Sequence, residues 1–291
     1  MPRPARSRRP LLDTLWSTLR ALRAVISILL YALVSPTGFL PYVLFRLLHR
    51  GDPIARARIL QRASIAGVRF MHWWLRTFRI IHFDWRHVRL DLPQQPCVIV
   101  ANHPTQLDPT VLMAVLGHAC TIVKPSVYNR LLVRHLLAGA LHFEGPTLDP
   151  ISVAHVVDHA VERLRLGFHL FVFPEARRSP QGQLRDFSRI AFEIATRANV
   201  PVVSLALRCE PCYLSRETPL LRPPPRLPRV FVERLAIDRP DDFANDSRAL
   251  ARGVEERYRA WVAAGMPARR SSADPISSTH SSTSGRSPNR A

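Results

Sequence analysis

Cys97-Val98-Ile99-Val100-Ala101-Asn102-His103-Pro104-Thr105-Gln106-Leu107-Asp108-Pro109 is the stretch whose reading decides the fold. Its first four residues are apolar and half of them are valine, as expected for a strand buried on both faces. Asp108-Pro109 then reads as a helix N-cap followed by proline at the first helical position. Strand, polar turn and helix in that order predict a crossover unit. The turn falls at the carboxyl end of the strand, where open α/β sheets place their chemistry. An imidazole and a carboxylate with four residues between them make an oriented general base once the turn folds them together. His103 and Asp108 are therefore the candidate catalytic pair.

The same order recurs downstream, where the apolar run Leu170 to Phe173 leads into Pro174-Glu175-Ala176-Arg177-Arg178-Ser179. From residue 87 onward the patterning predicts strands near 87–92, 97–102, 119–123, 140–143, 169–173, 201–207 and 229–234. Helices are expected near 109–117, 128–137, 151–166, 188–198 and 242–263. Such alternation implies an α/β fold with a mostly parallel central sheet flanked by helices. Pro219 and Arg222-Pro223-Pro224-Pro225 mark a loop. From Pro267 the chain is rich in Ser, Arg and Pro, a composition unable to bury enough surface to order itself. The expected division is a basic, membrane-associated helical region over 1–82, the α/β domain over 83–264 and a disordered tail over 265–291.

These two blocks resemble those of the glycerolipid acyltransferase family (1-acylglycerol-3-phosphate O-acyltransferases), which carries N-H-x4-D and, later, F-P-E-G-T-R-S. Val200-Pro201-Val202-Val203 is similar to that family's fourth block, so the resemblance runs from Val98 to Leu207. It implies transfer of an acyl group from acyl-CoA or acyl carrier protein to a lyso-lipid hydroxyl, with neither cofactor nor metal. Glu175 and Arg178 match acceptor-contacting positions, Ser179 matches the same block, and Lys124 matches a family lysine between the first two blocks. Three positions depart from the pattern. Ala176 stands for Gly and Arg177 for Thr. Gly145, at the end of Gly139-Ala140-Leu141-His142-Phe143-Glu144-Gly145, stands where an Arg usually helps hold the acceptor's phosphate. Arg177 is the residue expected to replace that missing cation.

The 291 residues carry a formal charge of +19, almost wholly from arginine, which calls for an anionic partner. Lys124 is the only lysine, and follows the expected strand 119–123, which suggests a site suited to a compact ammonium. Cys97, Cys120, Cys209 and Cys212 do not form a disulfide framework, and Cys209-Glu210-Pro211-Cys212 lacks the second pair a zinc site needs. A reducing cytoplasm is the natural compartment. His72 and His82 have no partner at ligand spacing and read as packed structural histidines.

Residues 3–23 place Leu11, Leu12, Leu15, Trp16, Leu19 and Leu22 at helical spacing among arginines, a basic amphipathic helix suited to anionic membrane lipids. Ala24 to Phe45 carries no charge and is long enough to span a bilayer, but Ser35-Pro36-Thr37-Gly38 and Pro41 interrupt it. Arginines flank both sides. A re-entrant or interfacial helical hairpin on the cytoplasmic face of a bacterial inner membrane is therefore expected over a single span. Met71-His72-Trp73-Trp74 suits either a membrane interface or packing against the sheet. No aromatic-rich nucleic-acid signature is present. The leading expectation is a monotopic acyltransferase acting on lysophosphatidate. The alternatives are the same reaction on a non-phosphate lipid acceptor such as an ornithine lipid, a hydrolase using the same base, and a non-enzymatic basic surface binder.

Overall fold

The computed structural model describes residues 10–83, 88, 90–147, 149–180 and 182–266. Its centre is a seven-stranded sheet of β1 (His82–Phe83), β2 (Val98–Ala101), β3 (Ala119–Val123), β4 (Phe143–Glu144), β5 (His169–Val172), β6 (Val202–Glu210) and β7 (Arg229–Asp238). The strand order is β1-β7-β6-β2-β5-β3-β4. Strands β2 to β6 are mutually parallel, so all five present their carboxyl ends along one edge. β7 runs antiparallel to β6, and β1 runs parallel to β7. The reversal has a local cause. No helix lies between β6 and β7, and a chain that returns without a crossover helix pairs antiparallel.

Helices α4 (Asp108–Leu116), α5 (Pro125–Tyr128), α6 (Leu131–Gly139), α7 (Pro150–Arg165), α8 (Ile190–Ala198) and α9 (Ser247–Ala263) complete the α/β layers. All four residues of β2 are fully buried, and they alternate between two cores. Val98 and Val100 join Phe168, Leu170, Phe192 and residues of α7, α8 and α9 on one face. Ile99 and Ala101 join Ile81, Phe83, Leu112, Phe171 and Leu205 on the other. The strand carrying the first block is thus the mid-plane of the protein, and burial on both faces fixes its register.

The hairpin expected within Ala24–Phe45, broken at Ser35-Pro36, is not formed, and the chain turns back only after Leu48. Helices α1 (Pro10–Val34) and α2 (Pro36–Leu48) run on in one direction. Ser35 keeps right-handed helical torsions, its N–H donates to the Tyr31 carbonyl, and its own carbonyl accepts from Phe39. Proline at the first position of α2 lacks only an N–H that a helix start leaves unpaired anyway. The returning arm is α3 (Pro53–Thr77), entered through Asp52, whose carboxylate caps the Ala55 N–H. Contacts pair the arms head to tail: Trp74 Nε1 donates to Ser27, Tyr31 stacks near Phe70, the Tyr42 hydroxyl accepts from Ser64, and Arg56 reaches the His49 carbonyl.

Along this hairpin many large apolar side chains face outward, among them Leu15, Leu29, Leu33, Leu40, Leu44, Leu47 and Trp73. Thr14–Leu48 is one helical stretch of 35 residues, long and apolar enough to cross a membrane. The Trp73-Trp74 pair divides its work, with Trp73 outward and Trp74 turned in upon Ser27.

The remaining elements correct the sequence reading at three places. The edge strand expected at 87–92 is absent at the described residues of that range, and the edge is made instead by His82–Phe83. The strand expected at 140–143 begins only at Phe143, because α6 runs to Gly139 and Leu141 adopts a left-handed φ of 60°. The helix expected at 128–137 is two helices, α5 and α6. His72 is packed as expected, stacked on Phe83 with Nε2 3.1 Å from the Thr110 hydroxyl. All four cysteines are free and buried, and no cluster able to hold a metal occurs among the described residues. The tail from Pro267 lies outside the described residues.

Candidate active site

His103 follows β2 by two residues and is held from three sides. Its Nδ1 lies 2.7 Å from Asp108 Oδ2, its ring stacks on Phe173 at 4.3 Å between centroids, and its backbone is tied to the second block. That tie is reciprocal. The His103 N–H donates to Glu175 Oε1 at 2.8 Å, and the His103 carbonyl accepts from the Ser179 N–H at 3.1 Å. β2 and β5 are parallel neighbours in the sheet, so the turns that follow them meet at the same height.

Asp108 was expected to cap its helix. Instead its carboxylate, fully buried, turns back to the preceding turn, and Leu107 occupies the cap position. Oδ2 accepts from His103 Nδ1 and from the Thr105 N–H at 2.6 Å, while Oδ1 accepts from the Thr105 hydroxyl at 2.5 Å. A carboxylate only accepts, so Nδ1 carries the imidazole proton and Nε2 keeps its lone pair. The ring remains about one-sixth exposed, with side-chain accessibility of 16%.

Asn102 and Thr105 went unremarked as site residues in the sequence reading. The Asn102 amide replaces one rung of the β2–β6 ladder, donating to the Leu207 carbonyl at 2.9 Å and accepting from its N–H at 2.7 Å. It thereby frees the chain to leave the sheet just before the histidine. Their signal was their place inside the motif, since an amide and a hydroxyl flanking a catalytic turn have backbone groups to satisfy. Behind β2, the buried Tyr258 hydroxyl of α9 lies 2.9 Å from the Val100 carbonyl and 2.7 Å from that of Leu205.

Glu175 and Ser179, expected to touch an acceptor, point inward. Glu175 is 5% exposed, and its second oxygen accepts from the Arg185 N–H at 3.1 Å. Burial raises its carboxyl above the ordinary range, while the two backbone N–H donors pull it back. Ser179 is likewise buried, its hydroxyl accepting from Arg185 N–H. Ala176, in place of glycine, takes the left-handed φ of 54° that the turn demands. Arg178 is half-buried, with Nη1 3.4 Å from the Leu214 carbonyl. Arg177 and Lys124 are exposed, and both follow strands whose carboxyl ends share the edge with His103. Gly145 hugs that edge too: its N–H donates to the Val123 carbonyl at 2.7 Å. A Cβ there would stand 3.1 Å from Ile122 Cγ2 and 3.3 Å from the Val123 oxygen, so a side chain would have to press these neighbours aside by a few tenths of an ångström.

No protein nucleophile faces the histidine among the described residues. Among the described residues neither serine, threonine nor cysteine bonds to Nε2, and the Thr105 and Ser179 hydroxyls are already engaged. Burial pushes the thiols of Cys97, Cys120 and Cys209 up to about 12, which leaves them protonated. The edge therefore presents an oriented base with open access, suited to deprotonating a hydroxyl or water brought in from outside.

Residues 86–208 match the family model described as Acyltransferase. That stretch is similar to proteins named as 1-acyl-sn-glycerol-3-phosphate acyltransferases. It is 29% identical over 153 residues to human 1-acyl-sn-glycerol-3-phosphate acyltransferase beta, covering 50% of this chain and 52% of that one. The enzyme of the same name from Pseudomonas aeruginosa is 26% identical over 196 residues, 65% of this chain and 72% of its own. Against the human relative and the mouse alpha form, the chain spans about half of the relative's length, 52% and 54%. The fold is that of the crystal structure of the 1-acyl-sn-glycerophosphate acyltransferase PlsC from Thermotoga maritima. That match has a TM-score of 0.60 and 22% identity, covering 87% of this chain and 99% of that one.

Proposed function

We propose that the protein is a membrane-associated O-acyltransferase that moves a fatty acyl group from an acyl-CoA or acyl carrier protein thioester to a lyso-lipid hydroxyl. The observation that carries the reading is the His103–Asp108 pair, locked to the Glu175 turn with no protein nucleophile beside it among the described residues. In this scheme Nε2 takes the proton of the acceptor hydroxyl as its oxygen attacks the thioester carbonyl carbon. The tetrahedral intermediate then collapses, the carbon–sulfur bond breaks, and the imidazolium returns the proton to the leaving thiolate. Asp108 keeps the tautomer and steadies the imidazolium. Lys124, Arg177 and Arg178 are the cations of the same edge available to an anionic acceptor or donor.

The names of the human and Pseudomonas relatives favour 1-acylglycerol-3-phosphate as acceptor and phosphatidate as product. The apolar face of α1–α2, bracketed by Arg20, Arg23, Arg46 and Arg50, supports monotopic attachment to the cytoplasmic side of a membrane. A second acceptor class is favoured by Gly145, which offers no side chain where the phosphate-holding arginine usually stands. A lyso-lipid without a phosphate, such as an ornithine lipid, suits that edge. Purified protein incubated with a labelled acyl thioester and a panel of lyso-lipids tests both. Ester formation should be lost by about 10²–10⁴-fold in His103→Ala. Free fatty acid without ester would make the protein a hydrolase, and equal activity of wild type and variant would refute the base.

A further inference from the structure

A cavity of about 360 Å³ lies between α1 and the loop that joins β6 to β7, at the same end of the sheet as His103 but walled by other residues. Trp16, Arg20 and Arg23 line it from α1, Arg79 from the end of α3, and Tyr213 and Pro223 to Pro228 from the loop, with Arg226 among them. None of His103, Asp108, Lys124, Glu175, Arg177 or Arg178 lines it. Four guanidinium groups thus surround one space, and none of them makes an ion pair among the described residues. The Nε atoms of Arg20 and Arg23 are buried without a hydrogen-bond partner. Gathering like charges without a counter-charge costs energy, which an anion in the cavity would recover.

The cavity is also built to hold its shape. Arg79 adopts a left-handed φ of 52°, which directs its carbonyl to Arg23 Nη2 at 3.1 Å and so fixes one face of that guanidinium. Pro223-Pro224-Pro225 forms the opposite wall, with torsions already restricted. Tyr213 is fully buried and anchored by its hydroxyl to the Leu220 carbonyl at 2.6 Å. Beside the opening, Trp16, Leu15, Leu19 and Leu22 of α1 are exposed. Cations next to apolar surface suit an amphipathic anion better than a bare one.

We propose that this cavity binds the phosphate headgroup of an anionic phospholipid that is not the molecule being acylated, its chains lying along the exposed face of α1. The assignment rests on the membrane-associated reading above only in that such a lipid is at hand. The site is one residue from the catalytic loop's anchor, because the Leu214 carbonyl next to Tyr213 accepts from the Gln106 N–H at 2.9 Å.

The test uses the full chain and short-chain phosphatidylglycerol dispersed as monomers, with Trp16 emission as one readout and calorimetry as another. Wild type should bind it saturably, and Arg20→Gln/Arg23→Gln should weaken it by about tenfold or more. Arg226→Gln, at an exposed position, should weaken it in the same direction. Arg8→Gln/Arg9→Gln removes equal charge nearby in sequence and should leave the affinity unchanged. Short-chain phosphatidylcholine, whose choline cation the arginines repel, should bind far more weakly, as should inorganic phosphate, which lacks the chains. Equal weakening by both arginine pairs would reduce the effect to diffuse charge and overturn the proposal. Phosphatidylcholine or inorganic phosphate binding as tightly as phosphatidylglycerol would overturn it too. Acyl transfer in detergent micelles reads the catalytic proposal separately. Loss of lipid binding in Arg20→Gln/Arg23→Gln with wild-type turnover supports the cavity, and an inactive wild type that still binds the lipid refutes only the enzyme.

Discussion

Replacing Asp108 by asparagine separates two services that a buried carboxylate gives a histidine base, tautomer and charge. Oδ2 receives two donors, His103 Nδ1 at 2.7 Å and the Thr105 N–H at 2.6 Å. The backbone N–H cannot reverse its role, so the asparagine oxygen must take the Oδ2 position. Its NH2 then faces the Thr105 hydroxyl, which rotates to accept it. The Nδ1–H tautomer survives, and only the negative charge is lost. A hydrogen bond to a charged group is worth about 1.5–3 kcal/mol against about 1 for a neutral one. The difference of about 0.5–2 kcal/mol corresponds to a fall in kcat of about 2–30-fold. An inverted tautomer would cost about 10⁴-fold. Steady-state acyl transfer by wild type, Asp108→Asn and Asp108→Ala at saturating donor and acceptor distinguishes these outcomes. Asp108→Ala leaves three buried donors unanswered and should also lower unfolding free energy by about 2–5 kcal/mol. A 10⁴-fold loss in Asp108→Asn would refute the part assigned to the Thr105 N–H, and no loss at all would refute the part assigned to the charge.

Three further outcomes follow from the same turns. Glu175→Gln turns one acceptor into a donor facing either the His103 or the Arg185 N–H, so urea unfolding should show a loss of about 1–3 kcal/mol. Its kcat should fall more than its KM rises, because the histidine is displaced rather than the acceptor. Ala176→Gly relieves the left-handed residue and should stabilise by under about 1 kcal/mol, raising Tm by a few degrees at most. Burial holds the His142 imidazole down at about 4, below the ordinary 6.5, so the unfolded chain takes up the proton first. Its contribution is complete above about pH 6.5 and is lost as pH falls toward 4. His142→Asn keeps an acceptor for the Thr121 N–H and removes the titration, so Tm should decline less steeply over that interval.

The sequence made the catalytic turn legible because its demands are local. Four buried residues, a polar turn and a proline-led helix leave few alternatives, and β2, β5 and α4 stand within a residue or two of where the patterning put them. What depended on distant partners was harder to see. Glu175 looked like an acceptor contact because the resemblance matches it to an acceptor-contacting position, and only the meeting of β2 with β5 shows that both oxygens are taken. Gly145 read as an arginine that was missing, whereas the structure shows its backbone bonded to β3 at a distance where a side chain would press on Ile122 and Val123. Ser35-Pro36 read as a break, but proline at the start of a helix removes no bond the helix needs, so the turn falls at His49–Asp52 instead. The loop 211–228 carried proline signals alone, and nothing in them showed that it would face Arg20 and Arg23.

Tyr258 adds a constraint in time. Its hydroxyl seals the carbonyls of Val100 and Leu205, two strands that lie 158 and 53 residues earlier in the chain. Synthesis runs from the amino end, so β2 emerges long before the helix that backs it, and the histidine turn has no finished support until α9 is made. The apolar hairpin of α1, α2 and α3 leaves the ribosome before the sheet does. On the membrane reading, the growing chain meets its lipid surface while the catalytic edge is still open, and the site is completed in place.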